Sequence, residues 1–209
     1  MRERFIDAIR ANQAAFGVDL TDEALERLGE FYELVERHNP MLHLVAPCTA
    51  EEFATRHVLE SLMMNERLPA GSRFADIGTG AGLPAIPCLI ARCDLNATLI
   101  ESKEKKSAYL LAALRALDLE PRARLIDRQF EEVREPLEID FVTCRALDKF
   151  VDKLPRIIRW SRGLPMILFG GHSLRQALAA AGREFDEKLL PLSERRYMFY
   201  VRPGGGVGR

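Results

Sequence analysis

Three glycines alternate with other residues in the segment Phe74-Ala75-Asp76-Ile77-Gly78-Thr79-Gly80-Ala81-Gly82-Leu83-Pro84, directly behind a short apolar run. Glycine lets the main chain approach a ligand that any Cβ would push away. A glycine turn between a strand and a helix belongs at the carboxyl edge of a doubly wound sheet, where the strand order reverses and ligands bind. Two phosphate-binding patterns fail here. The dinucleotide fingerprint needs G-x-G-x-x-G, but Leu83 stands where its third glycine should be, and no Gly-Lys-Ser/Thr follows to make a phosphate loop. Glu101 ends the next apolar run, 19 residues beyond Gly82, close to the ~20 expected of an acid that binds ribose hydroxyls. A carboxylate suits two vicinal hydroxyls because it accepts from both. The competing readings are a tight turn without a ligand and a solvated acid whose neighbour Ser102 caps the next helix.

The surrounding pattern supplies elements to position these residues. Amphipathic helices are expected over 4–17, 21–38 and 50–67. Thr21 caps the second of these and Asn39-Pro40 stops it. In the third, Leu59, Leu62 and Met63 face inward, and the other side carries Arg56, His57, Glu60 and Ser61. From residue 73 onward, short apolar runs at 73–77, 97–101, 123–127, 139–144 and 165–169 alternate with helical stretches from 83, from 103, at 149–162 and at 172–181. Runs near 186–192 and 196–202 close the chain. This alternation predicts an α/β fold of Rossmann-like type, a mostly parallel seven-stranded sheet with helices on both faces, preceded by an N-terminal helical segment. The division expected is 1–68 for the helical segment packed on the core, 69–203 for the α/β domain and 204–209 for a flexible tail.

Composition excludes several classes. The chain of 209 residues is 47% hydrophobic and 29% charged, with a formal net charge of −1. This points to a folded chain and away from a globally basic nucleic-acid coat. No apolar run reaches the ~20 residues that span a bilayer, and Met1-Arg2-Glu3-Arg4-Phe5 opens no signal-peptide apolar stretch, so a soluble cytoplasmic protein, without membrane association, is expected. Cys48, Cys88, Cys93 and Cys144 form no C-x-x-C, and the four histidines form no cluster with them, so no metal is expected and the thiols read as reduced and structural. Local basic sets remain: Lys103, Lys105 and Lys106; Arg156, Arg159 and Arg162 on one helix face; and Arg195-Arg196.

Asp76-x-Gly78-x-Gly80-x-Gly82 resembles the first motif of S-adenosylmethionine-dependent methyltransferases, whose loop meets the amino-acid part of the cofactor. After the fourth strand, Asp140-Phe141-Val142-Thr143-Cys144-Arg145 lacks the Asp/Asn-Pro-Pro-aromatic motif of amino methyltransferases. Cys144 follows Thr143, not the proline usual before a nucleophilic cysteine; beside Arg145 its pKa could be lowered, but a small core residue explains it as well. Arg56-His57-Val58-Leu59-Glu60-Ser61-Leu62, Gly78-Thr79-Gly80-Ala81-Gly82-Leu83-Pro84-Ala85-Ile86-Pro87 and Glu101-Ser102-x-x-Lys105-Lys106 together resemble the RsmG (GidB) family, guanine-N7 methyltransferases of bacterial 16S ribosomal RNA. The likeness runs from about residue 20 to 202.

The resemblance implies S-adenosyl-L-methionine as cofactor. It would be held by Asp76, Gly78, Gly80, Gly82 and Leu83 of the loop, by Glu101 and Ser102 at the ribose, and by Phe130 and Glu131 beside the adenine. Arg145 is implied as a cofactor contact and as the catalytic residue that steadies the base. Arg56 and His57 are implied as substrate contacts, 16S rRNA or the small ribosomal subunit as partner, and a monomer as the working form. For Arg145 the competing role is a local salt bridge with Asp148 or Glu131. The chain departs from the family at His43-Leu44-Val45, where the pattern is Asn-Leu-Thr, and at Ala85, usually Gly. It also departs at Glu60 and Glu101, usually Asp, and at Leu168-Phe169-Gly170-Gly171, where Leu-Lys-Gly is expected. The lost lysine removes a cation from the expected nucleic-acid face. Two alternatives therefore stay open: a methyltransferase of the same fold acting on a small molecule or protein, and a non-catalytic RNA-binding assembly protein with a vestigial cofactor site.

Overall fold

The computed structural model describes residues 1–147 and 149–204. Its helical N-terminal region opens with α1 (Arg2–Asn12) and α2 (Asp22–Leu42). Leu25, Leu28, Phe31, Tyr32 and Val35 recur at helical spacing along α2 and are all buried. The Thr21 hydroxyl accepts from the Ala24 N–H at 3.2 Å, the cap expected there. The stop expected at Asn39-Pro40 does not occur. Pro40 lies inside the helix, where it withholds the N–H that would bond the Glu36 carbonyl, and the helix runs only two residues beyond it. The Asn39 carbonyl still accepts from the His43 N–H at 2.9 Å, and His43, at φ +47°, ends the helix.

The segment 50–67 is helical throughout, as its periodicity predicts, but not uniformly α. After α3 (Ala50–Glu52), with a Thr49–Glu52 capping box, comes a π-helical turn (Phe53–Leu59). Then α4 (Glu60–Leu62) runs into a 3₁₀ stretch (Met63–Arg67).

Seven strands form one sheet: β1 (Arg73–Ile77), β2 (Asn96–Glu101), β3 (Ala123–Asp127), β4 (Phe141–Arg145), β5 (Met166–Gly170), β6 (Phe185–Leu189) and β7 (Tyr197–Val201). Their order is β3-β2-β1-β4-β5-β7-β6. Every pair is parallel except β5–β7 and β6–β7. The crossovers run through α5 (Ala85–Ala91), α6 (Glu104–Ala116), α7 (Phe150–Trp160) and α8 (His172–Ala180). α7 ends two residues short of the expected boundary, and Arg162 lies in the turn beyond it at φ +51°, so the expected arginine face is left with Arg156 and Arg159.

The strand order reverses between β1 and β4, which makes the carboxyl edge there the topological switch point. Register places the relevant residues at that edge: Ile77 pairs with Ile100 and with Cys144, and Arg145 pairs with Phe169. One buried cluster joins the N-terminal helices to α5, α6 and one sheet face; a second fills the opposite face. The N-terminal helices meet around Phe53, whose ring lies 5.3 Å from Tyr32 and 6.0 Å from Phe5. Phe53→Ala should therefore cost about 3–5 kcal/mol, the range of buried aromatic truncations. Urea unfolding of the whole chain checks this, and a loss below 1 kcal/mol would mean the helices do not rely on that ring.

Candidate active site

The glycine loop leaves β1 through three left-handed residues, Gly78, Gly80 and Gly82, at φ +67°, +58° and +90°. Each makes a different demand on its surroundings. A Cβ on Gly78 would lie 2.4 Å from Leu147 Cδ1, and one on Gly82 would lie 2.4 Å from Ile86 Cδ1. Beside Gly80 there is space, with only the Gly78 carbonyl at 3.8 Å. The loop is tied down by β2: the Gly78 N–H donates to the Ile100 carbonyl at 2.8 Å, and the Gly80 N–H donates to Glu101 Oε2 at 3.0 Å. Glu101 Oε1 accepts from the N–H groups of Ser102 and Lys103, both at 2.9 Å. The Glu101 carboxylate thus spends three of its roughly four acceptor sites on the backbone. That leaves Oε2 room for one further hydroxyl, where the sequence suggested a grip on two.

In front of this loop lies a cavity of about 480 Å³, within the ~300–1,000 Å³ range of small-molecule sites. Gly78, Gly80, Leu83, Glu101, Ser102, His57 and Arg145 line it, so seven of the expected site residues converge there. Phe130 and Glu131 line a small hollow alongside, which shares Gly78, Ser102 and Leu147 with the cavity. Phe130 is buried edge-on against Trp160, and Glu131 pairs with Arg156 at 3.5 Å. The other three expected residues line neither the cavity nor the hollow. Gly82 turns into the start of α5, Arg56 is exposed and pairs with Glu52, and Asp76 is fully buried in β1. Sequence reasoning did not pick out Lys153 or Leu147. Neither belongs to a motif, and both reach the cavity only because the chain returns there after β4.

Arg145 enters from β4. Its side chain is only 12% exposed and its ion-pair partner is Glu60, at 3.0 Å. Glu131 is engaged by Arg156, and Asp148 lies outside the described residues. Arg145 also donates to the Ser61 hydroxyl at 3.2 Å and to the carbonyls of Arg56 and His57 in the π-helical turn. Glu60 and Ser61 are therefore buried, contrary to the polar outer face expected of them. Phe169, standing where the resemblance implies lysine, lies 5.5 Å below the guanidinium in cation–π geometry.

Electrostatics separate the roles. Burial, then the guanidiniums of Arg145, Arg56 and Arg196, hold the His57 imidazole down at about 3, so it is neutral near pH 7. Cys144 is fully buried, which pushes its thiol well up; its position beside Arg145 does not activate it. Neither oxygen of Asp76 finds a hydrogen-bond partner among the described residues, nor do the hydroxyls of Thr79 and Thr143. Burial pushes the Asp76 carboxyl up to about 8 despite the nearby Thr79 hydroxyl and Ala85 N–H, with Glu101 adding to the rise and Arg145 opposing it. Four cations, Lys103, Lys106, Lys153 and Arg145, line the cavity against the single carboxylate of Glu101.

The fold and the placement of the loop define a Rossmann-like α/β protein with a candidate ligand site at its switch point. A SAM-dependent methyltransferase from Aquifex aeolicus superposes with a TM-score of 0.55 at 14% identity, covering 82% of this chain and 97% of that one, a likeness of fold. The chain belongs to the GidB family, described as rRNA small subunit methyltransferase G, whose sequence model matches residues 24–185. A ribosomal RNA small subunit methyltransferase G from Xanthomonas axonopodis pv. citri is 38% identical over 145 residues, covering 69% of this chain and 61% of that protein. One from Sorangium cellulosum is 33% identical over 174 residues, covering 80% and 73%. The chain thus spans about 61% of the length of the Xanthomonas relative.

Two predictions follow from the loop and its support. Gly82→Ala collides with Ile86 and should destabilise the fold by about 1–3 kcal/mol, measured by urea unfolding. Gly80→Ala has room and should cost less stability, but it places a methyl in the cavity and should weaken binding of S-adenosyl-L-homocysteine in calorimetry. Equal effects of the two on stability and binding would contradict this division. Asp76 sets a pH slope: its unfolded carboxyl ionises near 3.8 and its folded one near 8. Its contribution is therefore fully present below about pH 4 and is lost as pH rises toward about 8. Asp76→Asn should remove that slope, and parallel pH dependences of the urea midpoint in the two proteins would contradict it.

Proposed function

We propose that the chain is an S-adenosyl-L-methionine-dependent methyltransferase that methylates N7 of a guanine in small-subunit (16S) ribosomal RNA, working as a monomer in the cytoplasm. The observation that carries this reading is the cavity itself. A glycine-walled, carboxylate-bearing site lies at the switch point, and its rim is cationic in a chain whose net charge is −1. Positive charge gathered at one mouth suits a polyanionic substrate better than a neutral small molecule.

The residues present fit the cofactor. Gly80 leaves space that a side chain would fill, and Oε2 of the buried Glu101 keeps acceptor capacity for one sugar hydroxyl. The exposed Ser102 hydroxyl stands next to it. Leu83 supplies an apolar wall, and Gly78 opens the way toward Phe130 and Glu131, the side assigned to the adenine. When bound, S-adenosyl-L-methionine supplies an activated methyl group, and the protein supplies orientation.

Guanine N7 carries a lone pair and no proton at neutral pH, so the site needs no general base. This suits a wall whose histidine is neutral and whose one cavity carboxylate is committed to the backbone. His57 and Arg145 bound the substrate side. Arg145 lies against Phe169 on one face and has both terminal nitrogens engaged by Glu60, Ser61 and the carbonyls of Arg56 and His57. In this reading it would therefore meet the guanine by stacking or through its remaining Nε–H to O6. The protein's contribution is alignment of N7 with the methyl group, the entropy advantage of near-attack geometry.

The test has two stages. Calorimetry with S-adenosyl-L-methionine should show binding, and its absence would favour the vestigial-site reading. Methyl transfer from radiolabelled cofactor is then assayed on deproteinised 16S RNA, immature small subunits and mature ribosomes, with nucleoside analysis of the product. The expected product is N7-methylguanosine. Cofactor binding without transfer to any RNA would favour a small-molecule or protein acceptor.

A further inference from the structure

We propose that Glu60 is a positioning residue for the substrate side of the site, acting through Arg145 and the π-helical turn that carries His57. Glu60 is 1% exposed, yet it lies on the helical segment and not on the sheet. Its two oxygens are divided between two strands. Oε2 accepts from Arg145, at the end of β4, at 3.0 Å; Oε1 accepts from Arg196, just before β7, at 2.8 Å from Nε. A buried carboxylate so divided cannot shift toward either arginine without abandoning the other, which makes it a two-sided latch.

The latch bears on the cavity through geometry. Arg145 donates to the Arg56 carbonyl directly; it meets the His57 carbonyl at 3.5 Å and also through the Ser61 hydroxyl, which accepts from Arg145 and donates to that carbonyl. Holding Arg145 therefore holds the turn, and the turn holds the His57 ring, packed at 5.2 Å from Phe53, at the cavity wall. The cofactor side is anchored separately, by Glu101 on the glycine loop. Loss of Glu60 should accordingly disturb the acceptor half of the site and spare the cofactor half.

The kinetic arm of the test rests on the methyltransferase reading; the spectroscopic arm does not. In Glu60→Gln, kcat should fall about tenfold or more, while affinity for S-adenosyl-L-homocysteine stays within about twofold of wild type. Glu60→Asp, which keeps the carboxylate, should recover most of the rate, and Arg196→Met should show a smaller loss in the same direction. In cofactor-free protein, the His57 imidazole signals should shift and broaden in Glu60→Gln and return in Glu60→Asp. If Glu60→Gln does not fold, Arg196→Met carries both readouts. The proposal is overturned if the folded variant keeps the wild-type rate and His57 signals, or if cofactor affinity falls in step with rate, since the carboxylate would then serve the whole fold. If the wild-type chain methylates no RNA, the functional reading fails, and the His57 signals still decide whether Glu60 positions the turn.

Discussion

Three backbone N–H groups converge on one buried carboxylate, that of Glu101, and the shape of the site depends on that convergence. A loop with three left-handed glycines has few side chains to pack and loses much conformational entropy on ordering. Gly80 is held by the Glu101 carboxylate, and Ser102 and Lys103 by the other oxygen of the same group, so the loop after β1 and the turn after β2 become one unit. The parallel register of β1 and β2 makes this possible, because it brings Ile77 level with Ile100 and leaves Glu101 one residue further toward the edge. The cavity floor is in this sense built by a side chain that the sequence offered as a ligand contact or a solvated acid, not as a support for the loop.

The ionisable groups around this floor divide by burial. Asp76 lies inside β1 without a hydrogen-bond partner, and its carboxyl resists ionisation; Glu60 is equally buried but meets two guanidiniums. The difference is geometric. Asp76 stands on β1 with Leu99 and Thr143 as register neighbours, and among the described residues no cation pairs with it; Arg145 acts on it only as a distant charge. Glu60 sits where a helix crosses strand ends, and arginine side chains can reach it from both. A buried carboxylate stays charged where guanidiniums reach it and resists ionisation where none pairs with it.

The fold was legible where sequence and structure share a period. Alternating apolar runs and helices gave the parallel sheet, and the glycine spacing gave the switch-point loop. The misreadings have local causes. Asn39-Pro40 looked terminal because proline breaks helix interiors, yet the helix continues two residues past it and closes through the His43 N–H on the Asn39 carbonyl. Glu60 and Ser61 looked like an outer face because an α-helical wheel places them opposite Leu59 and Leu62. The intervening turn is π, and the strands behind it carry arginines that bury polar groups as readily as apolar ones. Lys153 and Leu147 had no signal at all: their place in the cavity depends on where the chain after β4 turns back, a tertiary fact with no periodic trace.

The departure at Phe169 takes on a different meaning once charge is followed through space instead of along the chain. The resemblance implies a lysine there; in its place a buried aromatic ring carries Arg145 on its face. Phe169 pairs across the sheet with Met198, and Arg196, two residues earlier on the approach to β7, reaches Glu60 beside it. Two cations therefore still surround the one buried carboxylate, and the ring contributes a face that favours a guanidinium over water. Beside the strand end that carries Phe169, a cation arrives from the approach to the neighbouring antiparallel strand. β7 runs back against β5, so the start of one strand lies beside the end of the other, next to the helical segment that carries Glu60.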